Sequence, residues 1–285
     1  MMKFLRSATW LFTVLLCTCL AAGLTGATDG AGGKIVQFDS AIYPLTPFQK
    51  KQSAKTQSEL KKAAGQELEG ILYRPRGDGP FPAVVLMHGC GGIWHWNRVW
   101  AERLNGWGYA VLDVDSLGPR QFKSICGRGT AVTGQARAYD AYGAKAYLVN
   151  LPFIDPGRIA VMGMSHGGWS VLRTVDERLS KELETEPFKA AVALYPWCPL
   201  PTAVATPLLI LIGEIDDWSP VERCRNYVDG AKSAHELSMK IYPNTHHLFD
   251  HAHIDRRVEG HVLRYDQKAA DDAIALTKAF LAKHL

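Results

Sequence analysis

Short apolar runs alternate with longer amphipathic segments through most of this 285-residue chain. Several runs, such as Ala83–Met87 and Leu208–Ile212, are unbroken, which is typical of strands covered on both faces. Between them lie segments with apolar residues at helical spacing, such as Gln135–Asn150. This order predicts the α/β class, with a mostly parallel central sheet and helices on both faces. The predicted strands are Gly70–Arg74, Ala83–Met87, Ala110–Val114, Ile159–Met162, Ala190–Leu194, Leu208–Ile212 and Met239–Tyr242, and the predicted helices are Gln135–Asn150, Gly168–Leu179, Val221–Ala231 and a last one around Ile274–Leu281.

The composition is that of a globular protein. Hydrophobic residues make up 47% of the chain and charged residues 21%, which excludes disordered, collagenous and coiled-coil classes. The 32 basic and 28 acidic residues give a formal charge of +4 and are evenly scattered. Such a small charge argues against a nucleic-acid partner.

The N-terminus has the pattern of a secretory signal. Lys3 and Arg6 precede an apolar stretch from Ala8 to about Ala22, and small residues follow it. The pattern predicts a signal peptide over residues 1–27 and export to the periplasm or the extracellular space. A transmembrane anchor is the alternative, because the uncharged run is long enough to span a bilayer.

The remainder of the chain divides into a lead-in and one domain. Residues 28–66 form a polar N-terminal lead-in, whose charge is concentrated between Lys50 and Lys62. Residues 67–285 are predicted to form a single α/β domain. No later stretch is long and apolar enough to span a bilayer, so no stable membrane insertion is expected after the signal is removed.

Four cysteines follow the signal, namely Cys90, Cys126, Cys198 and Cys224. An even number of cysteines in an oxidising compartment favours disulfide bonds. Three pairings are possible. We favour Cys90–Cys126 and Cys198–Cys224, because each would tie a loop at a strand end to a neighbouring segment. The chain has no C-x-x-C motif, so nothing supports a zinc ribbon or a thioredoxin-like site.

The predicted strand Ile159–Met162 leads into Gly163-Met164-Ser165-His166-Gly167, a G-x-S-x-G motif followed by a predicted helix. This motif places a serine on a sharp strand-to-helix turn, where its hydroxyl is exposed above the sheet. The flanking glycines allow the backbone to turn tightly. The motif predicts that Ser165 is a nucleophile, and a glycine-rich turn without chemistry is the alternative.

A nucleophilic serine needs a histidine base and an acid that orients it. In this architecture they follow in the order serine, acid, histidine, each at a strand end. The loop after Leu208–Ile212 supplies Asp216, and the loop after Tyr242 supplies His247. We predict these two as acid and base. Asp217 and Glu214 are the alternatives for the acid, and His246 is the alternative for the base.

The catalyst also needs N–H donors for the negative charge that develops on the carbonyl oxygen. The glycine-rich loop His88-Gly89-Cys90-Gly91-Gly92 follows the predicted strand Ala83–Met87, where such a loop is expected. We predict the backbone N–H groups of Cys90 and His166 as the oxyanion hole. A simple turn is the alternative role for the glycines.

Together, the HGCGG loop, the GMSHGG turn, the GEIDDWSP loop and the YPNTHHLF segment resemble the dienelactone hydrolase family of α/β-hydrolases. The likeness runs from about Glu67 to the C-terminus. It implies the α/β-hydrolase fold and the same assignment of nucleophile, acid, base and oxyanion donors. Dienelactone hydrolases proper have a cysteine where this chain has Ser165 and a glutamate where it has Gly89. The resemblance therefore implies the hydrolase class rather than a dienelactone substrate.

Other candidates lie near the same strand ends. Arg120 is placed to bind a substrate carboxylate, as arginines in that region do in the family, and local pairing on the surface is the alternative. Trp94 and Trp218 are candidates for lining an apolar pocket, with a packing role as the alternative. His247 and His251 have a spacing seen at metal sites, but no further cluster completes such a site, and no metal is predicted.

The sequence therefore predicts an exported serine hydrolase that cleaves a carboxylic ester, a lactone or a related acyl bond of a small molecule. The reaction requires no cofactor. A small peptidase or amidase is the alternative within the same fold. A secreted binding protein that keeps the fold without catalysis is the alternative from another class.

Overall fold

The computed structural model describes residues 32–42 and 65–285. The predicted signal peptide over residues 1–27 and the charged stretch Lys50–Lys62 lie outside them. The strands are β1 Lys34–Asp39, β2 Glu67–Tyr73, β3 Phe81–Met87, β4 Ala110–Asp115, β5 Ile154–Met164, β6 Ala191–Leu194, β7 Ala203–Val204, β8 Leu208–Gly213, β9 Lys232–Ser233, β10 Leu237–Tyr242, β11 Asp255–Val258 and β12 His261–Arg264. The helices are α1 His95–Gly106, α2 Gly134–Val149, α3 His166–Thr174, α4 Glu177–Glu182, α5 Val221–Gly230 and α6 Gln267–His284.

Eight strands form one sheet in the order β1-β2-β4-β3-β5-β6-β8-β10. The first two pairings in that order, β1 with β2 and β2 with β4, are antiparallel, and all the others are parallel. Two short pairs, β7 with β9 and β11 with β12, stand apart from it. The predicted α/β fold with a mostly parallel sheet is confirmed.

The sheet separates two apolar cores. Along β3, Val85 and Met87 point into the core shared with α2, α3 and α5, whereas Val84 and Leu86 point into the core shared with α1 and α6. Successive residues of a strand face opposite sides, so an unbroken apolar run is what a strand with helices on both faces requires. This explains why the central strands are readable from the sequence.

The structure differs from the sequence-based expectations in three elements. The segment assigned to the lead-in contributes β1, which pairs with β2 and buries Val36 and Phe38, so the sheet begins before residue 67. The single helix predicted over Gly168–Leu179 is two helices, because Asp176 leaves the helical conformation and its carboxylate caps α4. Helix α1 is not predicted at all, since its buried apolar stripe is narrow.

The structure contains two disulfide bonds, Cys90–Cys126 and Cys198–Cys224. These are the pairs favoured in the sequence analysis. The first joins the loop after β3 to the segment between β4 and α2, and the second joins the loop after β6 to α5. Across residues 32–42 and 65–285, none of the helices combines the length and the apolar character needed to cross a membrane.

Candidate active site

Ser165 lies at the sharp turn between β5 and α3. Its backbone has φ 55° and ψ −116°, a conformation that non-glycine residues adopt only when the surroundings enforce it. A hydrogen bond of 2.9 Å from its N–H to the Leu194 carbonyl fixes the turn. A Cβ at Gly163 would collide with the Gly167 carbonyl, and one at Gly167 with the Met87 carbonyl. The two glycines are therefore required by the close approach of the backbones.

His247 connects Ser165 to Asp216. Its Nε2 lies 2.9 Å from the Ser165 hydroxyl oxygen, and its Nδ1 lies 2.6 Å from Asp216 Oδ2. The other carboxylate oxygen, Oδ1, accepts the N–H groups of Trp218 and Ser219 at 2.9 and 2.7 Å. Both side chains of the His–Asp pair are buried. The carboxylate is thus held by the backbone of its own loop and orients the imidazole.

The alternatives named for acid and base point elsewhere. Asp217 is partly exposed and accepts the Val262 N–H at 3.1 Å. Glu214 accepts the Asn244 N–H at 3.0 Å at the surface. His246 buries its Nδ1 without a hydrogen-bond partner among the described residues. The geometry therefore brings Asp216 and His247 to Ser165 and leaves their neighbours outside.

The predicted oxyanion donors flank the nucleophile. A Cβ at Gly89 would lie 3.7 Å from Cβ of Ser165, so the loop that carries Cys90 runs directly beside the serine. His166 is the first residue of α3, and its N–H belongs to the positive end of that helix. The Cys90 carbonyl accepts the Ile125 N–H at 2.8 Å, and the Cys90 side chain is bonded to Cys126. The segment after β4 therefore holds this loop at two points.

Arg137 joins the two segments that carry the predicted oxyanion donors, a contact that the sequence analysis missed. The fully buried guanidinium donates to the His88 carbonyl at 2.7 Å and to His166 Nδ1 at 2.9 Å. His166 Nε2 then donates to the Gly129 carbonyl at 2.8 Å. Burial, and next the Arg137 charge, lower the pKa of His166 to about 3, so this imidazole is neutral at ordinary pH. It serves as a structural bridge and not as a base.

A buried polar group supports His247 from behind. The Tyr195 ring packs edge-on against the His247 ring, with centroids 4.7 Å apart. The Tyr195 hydroxyl donates to Asp250 Oδ1 at 2.8 Å, and Trp100 Nε1 donates to Asp250 Oδ2 at 2.7 Å. The position of Tyr195 directly after β6 is the one sequence signal for it, because the carboxyl ends of parallel strands meet at one edge of the sheet.

A cavity of about 660 Å³ opens beside Ser165. Trp218 lines it, as predicted, together with Trp169 and Trp197, which the sequence analysis did not single out. Trp94 is not among the lining residues; it is 56% exposed and donates to the Gly91 carbonyl at 2.6 Å. The complete lining consists of Cys90, Cys126, Gly127, Arg128, Gly129, Thr130, Ser165, His166, Trp169, Trp197, Asp217, Trp218, Ser219, Pro220 and His261.

Arg120 has a partner within the protein. Its guanidinium forms two hydrogen bonds with the buried Asp140 carboxylate, at 2.7 and 2.9 Å, and a third with the Ser116 carbonyl. Arg120 does not line the cavity. The assignment of Arg120 to a substrate carboxylate is therefore replaced by a structural role, because a buried carboxylate already occupies the planar fork.

No group of three or more His, Cys, Asp and Glu side chains within the described ranges is arranged to hold a metal ion. His251, which shares helical spacing with His247 in the sequence, instead places its Nε2 3.3 Å from the Tyr195 hydroxyl. The His251 imidazole therefore contacts the Tyr195 hydroxyl and Asp250, the two groups that lie behind the His247 ring.

The chain matches one family model and is similar to several known proteins. The model of the dienelactone hydrolase family matches residues 68–285. The chain is 34% identical to the quorum-quenching protein AidA of Acinetobacter baumannii (strain MDR-ZJ06) over 139 residues, which are 44% of this chain and 43% of that protein. It is 28% identical to cutinase 2 of Thermobifida cellulosilytica over 160 residues, 53% of this chain and 54% of the other. The chain thus spans about half the length of these curated relatives.

Among solved structures, a putative dienelactone hydrolase from Klebsiella pneumoniae subsp. pneumoniae MGH 78578 has a TM-score of 0.61 to this chain at 17% identity. The match covers 88% of this chain and 99% of the other. At that identity the likeness concerns the fold.

Proposed function

Because the chain belongs to the dienelactone hydrolase family and holds Ser165, His247 and Asp216 in one hydrogen-bonded row, we propose that it is an exported serine hydrolase. Its substrate is a small molecule with a carboxylic ester, a lactone or a related acyl bond. The strongest support for this proposal is that these three side chains are hydrogen-bonded in sequence and that Ser165 lies in a strained turn and lines a cavity.

The first chemical step is attack of the Ser165 hydroxyl on the carbonyl carbon. His247 Nε2 takes the hydroxyl proton, and the Asp216 carboxylate stabilises the imidazolium that forms. The oxyanion lies against the N–H groups of Cys90 and His166. His247 then protonates the leaving alcohol, which departs and leaves an acyl group on Ser165.

Water completes the cycle by the reverse sequence. His247 takes a proton from the water as it attacks the acyl-enzyme, and the proton returns to Ser165 when the acid leaves. Every proton transfer in this scheme uses one imidazole nitrogen, Nε2, so Nδ1 keeps its hydrogen bond to Asp216 throughout. The family and the cutinase relative both favour esters over amides as the bond that is cleaved.

Export is supported by the two disulfide bonds. Such bonds persist in oxidising compartments and are rare in the cytosol. We infer that the predicted signal over residues 1–27 directs the chain to the periplasm or the extracellular space. Detection of a mature chain that lacks these residues outside the cytoplasm would test this inference.

The activity is tested with a fluorophosphonate probe on the purified protein, followed by intact mass spectrometry. The probe reacts with an activated serine without requiring the true substrate. We expect one adduct in the wild type and none in Ser165→Ala, together with turnover of a short aliphatic ester only in the wild type. A folded wild type that takes up no adduct and hydrolyses no ester would refute the proposal.

A further inference from the structure

Three tryptophans from separate parts of the chain meet at the cavity beside Ser165. Trp169 comes from α3, Trp197 from the loop after β6, and Trp218 from the loop after β8. Aromatic side chains offer large apolar contact areas for few rotatable bonds. Such a concentration around one serine points to a substrate with a flat apolar part.

Each indole is held by neighbours. The Arg223 guanidinium lies 4.1 Å from the centre of the Trp197 ring, and Arg223 Nε donates to the Cys198 carbonyl at 3.2 Å. Trp197 is nevertheless 38% exposed, so its ring presents surface to the cavity that it lines. Since Arg223 already fixes the indole, a ligand that stacks on it loses little additional side-chain entropy.

The other two indoles are fixed in a similar way. The backbone of Gly134 lies directly against the Trp169 ring, where a Cβ would collide with it, and the His166 ring packs edge-on at 5.0 Å. Trp218 stacks on His261 at 4.8 Å and lies 5.5 Å from His247. The three indole rings are therefore held in place before a ligand binds.

The charges at the cavity do not favour an ion. Apart from the histidines His166 and His261, the lining has one basic and one acidic side chain, Arg128 and Asp217, which carry opposite charges. The arginine predicted to bind a carboxylate, Arg120, is engaged by Asp140. The volume of about 660 Å³ lies within the range of small-molecule sites.

We propose that this cavity binds neutral esters with an aromatic ring next to the scissile bond, and that Trp197 and Trp169 recognise that ring. The proposal rests on the serine hydrolase function and names its substrate class. Since aromatic pairing adds stabilisation beyond that of area alone, we expect an aromatic ester to be favoured roughly 2- to 10-fold over its saturated counterpart.

The test compares matched esters that differ only in aromaticity. Benzyl acetate is paired with cyclohexylmethyl acetate, and methyl phenylacetate with methyl cyclohexylacetate. The ratio of kcat/KM within each pair is measured for the wild type, for Trp197→Leu and Trp169→Leu, and for Trp197→Phe, which keeps a ring. Trp107→Leu is the matched control, because Trp107 packs on Trp100 and Lys278 away from the cavity.

We expect an aromatic preference in at least one pair, its loss in Trp197→Leu or Trp169→Leu, and its retention in Trp197→Phe and Trp107→Leu. The affinities of folded Ser165→Ala for the same esters, measured by ligand-detected NMR, read out recognition without turnover. Hydrolysis of all esters with ratios near one, unaffected by Trp197→Leu and Trp169→Leu, would overturn the aromatic proposal and leave the hydrolase standing. If Ser165→Ala preferred the aromatic esters in binding but the wild type turned none of them over, the hydrolase function would be refuted and the aromatic recognition supported.

Discussion

Removal of the Cys90–Cys126 disulfide should damage catalysis far more than removal of Cys198–Cys224. Cys90 supplies a proposed oxyanion N–H, and its side chain is tied to Cys126 by the bond. Without the bond, hydrogen bonds to the Cys90 carbonyl from the Ile125 N–H at 2.8 Å and the Ser124 hydroxyl at 3.5 Å still attach the loop to that segment, but the covalent link is lost. The donor then moves relative to Ser165. Neither Cys198 nor Cys224 belongs to the triad or the oxyanion hole.

The two bonds should cost nearly the same in stability. Their cysteines are 36 and 26 residues apart in sequence. Loop-closure entropy then gives about 3.8 kcal/mol for the first bond and about 3.5 kcal/mol for the second at 25 °C. Complete loss of one oxyanion donor lowers kcat by about 10²- to 10³-fold. We expect removal of Cys90–Cys126 to lower kcat by at least about tenfold and by no more than this complete loss of a donor would.

The assay uses the double variants Cys90→Ala/Cys126→Ala and Cys198→Ala/Cys224→Ala. Urea unfolding gives the free energy of unfolding, and kcat is measured on a short aliphatic ester below both melting transitions. A short ester is chosen because Trp197, which lines the cavity, neighbours Cys198. Equal kcat values in the two folded variants would refute the inference that the disulfide positions the Cys90 N–H.

Three further substitutions separate the remaining roles. Asp216→Asn should lower kcat about 10⁴-fold, because the amide no longer stabilises the imidazolium, whereas Asp217→Asn should stay within about threefold; steady-state kinetics decides. Arg120→Ala should cost about 3–5 kcal/mol in a urea titration, since it leaves the buried Asp140 without its partner, with KM for a neutral ester unchanged. Burial raises the pKa of Asp113 to about 8, so the native chain holds a proton there that the unfolded chain releases above its ordinary pKa. This difference lowers the free energy of unfolding as the pH rises from about 4 to about 8. Asp113→Asn should raise Tm more at pH 8 than at pH 5, and an equal shift at both would contradict the assignment.

The sheet was predictable because its central strands are buried on both faces. Runs such as Leu208–Ile212 contain no polar residue, which is typical of a strand that lies between two helical layers. Strand β1 was not predictable in the same way, since it lies at the edge and alternates between exposed and buried residues. Its pairing with β2 depends on a contact between segments that are distant in the sequence.

The candidate site was predictable to the extent that it follows from strand ends. Ser165, Asp216 and His247 each follow a parallel strand, and the carboxyl ends of such strands converge. The choice between Asp216 and Asp217 has no local signal, because both side chains are carboxylates in one loop. The structure separates them by burial, with Asp216 facing His247 and Asp217 facing the hairpin of β11 and β12.

What the sequence could not reveal are the residues that hold the catalytic loops in place. Arg137 acts on the His88 carbonyl and the His166 ring, and Asp250 acts through the Tyr195 hydroxyl. These contacts join residues 49, 29 and 55 positions apart in the chain, and no motif encodes such distances. Arg137 supports the oxyanion side and Asp250 supports the base. The predicted oxyanion donors and the predicted base are therefore supported by separate sets of hydrogen bonds.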